Sequence, residues 1–384
     1  MFRTLLGRRA EQPASLQPIP AGLRAGSLPR GRAYAGSVAR LVDWELAERI
    51  GLRFAPNGPV TSPSDAHAAV AELRELAQLA RDPVRELTGL VADPDHAPAV
   101  VVDRAEWITS NVAGFGVALD PLISSRADKS VNPALEAVGS RLTAAQLGGA
   151  LAWLSGRVLG QYEAFAAAGR TGRLLLVAPN IVQVERELEL VPRDFRAWVC
   201  LHEETHRAQL GGVPWLSQHF LAEVQALIDV SDVSIGDFVS RLGAVAQAVV
   251  SAARGQEGPS LMEAVQTPAQ QQVFDRLTGL MSLLEGHADY VMDEVGPAHV
   301  PTVTVIRARF SARRAQAGTV DGFARRMLGL ETKIRQYTSG ADFVRQVIAS
   351  QGQDGFAQVW AAPANLPSAV EIEDPAAWAR RVLG

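Results

Sequence analysis

One cysteine in 384 residues leaves nothing for an internal disulfide to join, and Cys200 fits a reducing compartment. Aromatic residues are few, at 6% of the chain, and they do not interleave with basic residues as the stacking ladders of single-strand binders do. Charge of one sign is also missing: 37 basic residues face 41 acidic ones, for a net charge of −4. Nothing in that balance draws the chain to nucleic acid. No stretch reaches the roughly 18 consecutive apolar residues that a membrane helix requires. The longest apolar neighbourhood, Leu147 to Phe165, is broken by Arg157, Gln161 and Glu163. The N-terminus carries arginines but no apolar core of signal-peptide length, and its Pro, Gly, Ser and Arg predict a disordered tail over residues 1–36. The expectation is a cytoplasmic protein with neither a membrane nor a nucleic-acid partner.

What is present is an ordinary soluble composition, with 47% hydrophobic and 20% charged residues, in a chain long enough to bury a sizeable core. Residues 37–384 read as mainly α with a minor β-sheet, in a helical N-terminal half (about 37–170) and a C-terminal half (about 171–384). Ser62-Pro63-Ser64-Asp65 caps a helix, Asp82-Pro83 opens another, and the pattern from Asn132 to Ala168 is again helical. Val100 to Val102 is a short strand or the entry to the helix at Trp107. One strand is clear, Arg173 to Val177 (RLLLV), between turn signals. The last segment, from Trp360, is punctuated by proline and is expected to wrap the surface.

The chemistry lies in Asp194 to Gly212, DFRAWVCLHEETHRAQLGG. Asp194 serves as a helix N-cap, and Gly211-Gly212 before Pro214 ends the run. Phe195, Trp198, Val199, His202 and His206 recur at three- and four-residue steps and share one inward face. That face carries two imidazoles where a core helix would carry leucines. His202-Glu203-Glu204-Thr205-His206 is an H-E-x-x-H motif. Residues four apart stand one above the other, so both rings can reach one zinc ion. Glu203, about 100° round the helix, can reach a water polarised by the metal without being a ligand. Chance matches to the motif fall in loops or on charged faces; this one falls on an apolar helix face. Cys200, about 200° from His202, faces away and reads as a small buried hydrophobe.

Zinc needs a third protein ligand, and LLEGHADYVMDEV offers Glu285 or His287. Glu285 and Asp289 share a helix face, and His287 points elsewhere unless the helix breaks at Gly286. A carboxylate ligand with an aspartate one turn later makes sense, because Asp289 could accept the other N–H of a ligating histidine. We therefore read Glu285 as the ligand and Asp289 as its support. His219, beyond the Gly-Gly break and a proline, is read as packing or as a residue supporting the ligands, not as a ligand itself.

HEETH followed by Glu285 and Asp289 on a later helix resembles the gluzincin arrangement of thermolysin-like enzymes. More closely, GRLLLVAPNI, DFRAWVCLHEETHRAQ, GGVPWL, SLLEGHADYVMD and KIRQYTSG resemble an actinobacterial family of zincin-like metallopeptidases. Members of that family are often labelled as associated with deazaflavin-coenzyme biosynthesis. The resemblance runs from about Val42 to the C-terminus and implies a zincin fold and a zinc-dependent peptidase or hydrolase. It implies no established substrate. Two departures stand out: the interval from His206 to Glu285 is much longer than in thermolysin-type chains, and Glu204 replaces a commonly apolar residue, where it should face away and matter little.

The implied reaction is hydrolysis of a peptide or amide bond, with Glu203 taking a proton from the attacking water and passing it to the leaving amine. Tyr337, near Arg335, is the candidate donor to the oxyanion. In zincins an edge strand beside the metal helix holds extended substrate; RLLLV could be that strand or a buried, purely structural one. Two other outcomes stay open, a zinc hydrolase acting on a non-peptide amide or ester in a biosynthetic step, and a zinc-stabilised scaffold without turnover.

Overall fold

A computed structural model describes residues 42–92, 98–124, 133–163, 172–230, 268–316 and 335–384. The tail expected over 1–36 lies outside the described residues, as do His96 and the helical patterns that the sequence also carries over 235–254 and 322–328. Local chemistry sets several helix starts. Ser62 Oγ accepts from the Asp65 N–H at 3.1 Å and opens α2 (Pro63–Leu79), after α1 (Trp44–Phe54) and before α3 (Arg81–Thr88). Next come β1 (Val100–Val102), α4 (Arg104–Ser124), α5 (Pro133–Ser155), β2 (Gly160–Glu163) and β3 (Arg173–Val177). Then follow α6 (Ala178–Glu187), α7 (Pro192–Gly212), α8 (Leu216–Val230), α9 (Pro268–His299) and α10 (Val303–Gln316). The chain closes with α11 (Arg335–Ala357), α12 (Ala369–Glu373) and α13 (Pro375–Val382). The architecture is mainly helical with one small sheet.

The sheet runs in the order β1-β3-β2. β1 is parallel to β3, with Val100 opposite Leu175, and β2 is antiparallel to it, with Gly160 opposite Leu176. RLLLV is therefore the central strand, which fulfils the buried-strand reading and not the edge-strand one. Both of its faces are covered. Leu176 packs into the main core with Phe195 and Leu201 of α7, whereas Leu175 and Val177 pack against Trp107 and Ile108 of α4 and Leu151 of α5. A strand buried on both sides needs the unbroken apolar run that RLLLV supplies.

Two other expectations change. The helical pattern expected to Ala168 stops at Ser155, and β2 follows a turn. The terminal segment is no surface wrap. Trp378 is fully buried edge-on against Phe343, at 5.6 Å between rings, and its indole N–H donates to the Asn365 carbonyl.

The sheet and α9 lie against α7. α9 crosses α11 at a point without side chains, where a Cβ on Gly286 would run into the Gly340 backbone and a Cβ on Gly340 into the Ser282 carbonyl. Gly286 permits this close approach and does not break the helix, which runs unbroken from Pro268 to His299.

Candidate metal centre

α7 begins one turn earlier than its sequence suggests, with Pro192 in its first turn and Val191 as cap. Asp194 instead reaches across to the start of α10, accepting from Thr302 N–H at 2.9 Å and from its hydroxyl at 2.7 Å. This bond ties α7 to α10, whose Phe310 ring lies 5.2 Å from Trp198. One turn on from Trp198, His202 and His206 stack along the same face, their rings edge to face at 4.6 Å.

α9 brings the third group. Glu285 Oε2 lies 3.7 Å from His202 Nε2, and Glu285 Oε1 lies 3.6 Å from His206 Nε2. The two Nε2 atoms are 3.1 Å apart. Among the described residues these three form the group able to hold a metal ion. His287, two residues on, points the other way. It is buried between Phe356 and Trp360, and burial, with His206 adding a smaller push, lowers its pKa to about 3. His219 sits beside Trp215 and Glu223, apart from the pair.

The donor set fits zinc. Two ligands about 2.0–2.1 Å from a tetrahedral zinc stand roughly 3.3 Å apart, and the three separations here bracket that value. Chemistry agrees with distance. His206 Nδ1 faces Gln209 Oε1 at 2.9 Å, and His202 Nδ1 faces Met292 Sδ at 3.1 Å. Gln209 Oε1 is an acceptor, so the His206 ring carries its proton on Nδ1 and turns an Nε2 lone pair towards His202 and the Glu285 carboxylate; the Met292 thioether, a weak acceptor, favours the same arrangement at His202. Lone pairs and a carboxylate converging on one point repel unless a cation lies between them. Burial opposes charge on His206, yet Glu285, Glu203, the Gln209 bond and Asp289 together raise its pKa. A dication would answer that same negative field.

Glu203 lies beside the pair, 7% exposed. Burial pushes its pKa up to about 7, His206 opposes the rise, and Glu285 adds to it. It rests against β2, where a Cβ on Gly160 would stand 2.5 Å from its Cδ, so only glycine lets strand and carboxylate approach this closely. A cavity of about 610 Å³ opens here, bounded by β2, by Trp198, Leu210 and Phe310, and by Met281, Glu285 and Asp289 of α9.

Asp289 lines the cavity one turn beyond Glu285, and its carboxylate faces Arg307 at 3.6 Å. The acceptor role that the sequence assigned to it on a histidine is filled, at His206, by Gln209. Tyr337 falls in the first turn of α11, and its side chain lies outside the described residues. Sequence reasoning missed Gln209, Met292 and β2. Only Gln209 left a local signal, three residues after His206 on the same helix. Glu204 does face away from the cavity, but it matters: it is buried in an ion pair with Arg207, whose Nε lies 3.0 Å from its Oε1. Cys200 is buried and free, and burial raises its thiol pKa well above the usual range.

A long helix carrying H-E-x-x-H, met by a glutamate from a second long helix beside a small sheet, forms a group able to hold a metal ion. The chain belongs to the zincin-like metallopeptidase family, whose sequence model matches residues 42–379. A solved structure from Chloroflexus aurantiacus, described as a putative hydrolase with a novel fold, is similar to it at 28% identity and a TM-score of 0.64. That similarity covers 88% of this chain and 98% of the other. No curated protein matches the chain.

Proposed function

We propose that this chain is a zinc-dependent peptidase, with His202, His206 and Glu285 as the ligands. One observation carries the reading, the convergence of two Nε2 lone pairs and a carboxylate within 3.1–3.7 Å, with the buried Glu203 beside them. Zinc bound there would supply Lewis acidity to a carbonyl and to a water molecule. Glu203 takes the proton of the attacking water on its carboxylate and delivers it to the leaving amine. A pKa near 7 suits a group that must accept and then donate at neutral pH.

The surroundings favour an extended peptide. β2 is the outer strand on the side of α7 among the described residues. The Val177 N–H donates to the Leu159 carbonyl directly opposite, so alternation turns the N–H and C=O of Gly160 away from β3. A substrate strand laid along the cavity would pair with them. A cavity of about 610 Å³ would also take a compact non-peptide amide or ester, the second reading. Glu203 argues against a scaffold, since a structural zinc needs no base.

The test is mass-spectrometric cleavage profiling of zinc-loaded wild type and Glu203→Gln on a peptide library, with a parallel panel of acyl amides and esters. Peptide cleavage that falls roughly 10²–10⁴-fold in the variant, with zinc retained, is the expected result. Cleavage confined to the small-molecule panel would favour the second reading. Equal rates for the two proteins would sink the mechanism.

A further inference from the structure

We infer that Gln209 is a positioning residue that fixes the tautomer of His206 and thereby makes its Nε2 a metal-binding lone pair. The inference rests on the ligand set above, but its core concerns hydrogen bonds that exist without the metal.

Gln209 is fully buried one turn after His206, and all of its amide is used. Its Nε2 lies 3.0 Å from the Leu284 carbonyl and 3.0 Å from His287 Nδ1, while its Oε1 lies 2.9 Å from His206 Nδ1. The two faces of an amide are hard to tell apart by shape, but Leu284 decides between them. A backbone carbonyl only accepts, so the NH₂ must face it; the reversed amide would set oxygen against oxygen. The second N–H then requires a lone pair on His287 Nδ1, which places that ring's proton on Nε2. Oε1 is left to accept from His206, so His206 must carry its proton on Nδ1.

The chain of constraint thus runs from Leu284 through Gln209 to His206. Leu284 is the neighbour of Glu285, so the turn of α9 that presents the carboxylate also sets the opposing imidazole. His202 has a weaker arrangement, since its Nδ1 faces the thioether of Met292. The two rings are held unequally, and His206 is the one whose orientation is locked by a full amide.

The experiment measures the ¹⁵N shifts of His206 in metal-free protein at about pH 9, above the ordinary imidazole range, and then titrates zinc. The variants are Gln209→Met, which keeps length and removes both hydrogen-bonding groups, and Gln209→Met combined with His287→Leu, which also removes the acceptor left unpaired. Wild type should show the Nδ1–H tautomer. Both variants should show the mixture of an unconstrained ring and bind zinc about 10–100-fold more weakly while keeping the wild-type circular dichroism spectrum. A wild-type His206 protonated on Nε2 would overturn the inference, and that measurement stands even if no variant folds. Unchanged tautomer or unchanged zinc affinity in the variants would also overturn it. If the tautomer depends on Gln209 but wild type binds no zinc, the positioning role stands and the metal reading fails.

Discussion

Helix α7 has buried charge on two sides, and the sides are finished differently. At the back, arginines and glutamates meet within the chain. Arg196 donates to Glu185 at 2.6 and 2.9 Å and to Glu72 at 2.6 Å, and Glu204 pairs with Arg207. Burial raises the Glu204 pKa, with Arg207 and Arg81 pulling against the rise. At the front, Glu203 and Glu285 share the cavity with two imidazoles, Asp289 at its edge meets Arg307, and no lysine or arginine lines the cavity among the described residues. The same helix therefore shows what a self-sufficient buried cluster looks like and what one built for an outside cation looks like. Arginine pairing at the back completes the fold; a front lined by carboxylates and imidazoles is what makes a site.

The contrast breaks most sharply at the histidines. His202→Ala/His206→Ala should take bound zinc from about one per chain to none by elemental analysis, leaving the circular dichroism spectrum intact because the back cluster is untouched. Zinc retained by that double variant would mean that the front is not the metal site. The reciprocal change is Glu204→Leu, which strands Arg207, 3% exposed, without a counter-charge. Denaturant unfolding should show a loss of about 3–5 kcal/mol, with zinc stoichiometry unchanged. Little loss of stability, or loss of zinc, would show that the two sides are not separable.

A finer cut compares neighbours on α9. Glu285→Ala should weaken zinc more than Asp289→Asn, because Glu285 is a ligand whereas Asp289 lines the cavity one turn beyond it and acts on a cation there only through its charge. Zinc titrations giving the reverse order would exchange their roles. The smallest effect is electrostatic and appears without metal. Folded Glu203 keeps its proton to about pH 7, against 4.5 for an ordinary glutamate, so the folded state holds the extra proton between those values. Stability of the metal-free protein should therefore fall as pH rises through that window, by at most about 1.4 kcal/mol per pH unit. Glu203→Gln should remove this component of the slope, and an unaltered pH profile of melting would count against the buried carboxyl.

The sequence showed the front of α7 well because its logic is local. His202, Glu203 and His206 are related by helical spacing alone, and helix phase also separates Glu285 from His287. What escaped was set by distant partners. β2 follows a helical run and owes its strand character to pairing with β3, which no periodicity in RVLGQYE announces. The place of RLLLV in the sheet was in principle readable, since a wholly apolar run suits a strand covered on both faces. Asp194 looked like a cap because its neighbours are helix formers, and only the fold brings Thr302 to it. Met292 lies beside His202 through the packing of α9 on α7, and nothing near either residue foretells it.

The bare crossing of α9 and α11 at Gly286 and Gly340 has a further consequence. It works as a latch on sliding. Moving α9 by one residue along its axis shifts it about 1.5 Å and would push a Cβ into the backbone of α11. Metal–ligand distances tolerate only about 0.2 Å. The height at which Glu285 meets the two imidazoles is thus gauged from another face of α9, about 100° round from the ligand, where Gly286 meets Gly340 of α11 and neither touches the metal.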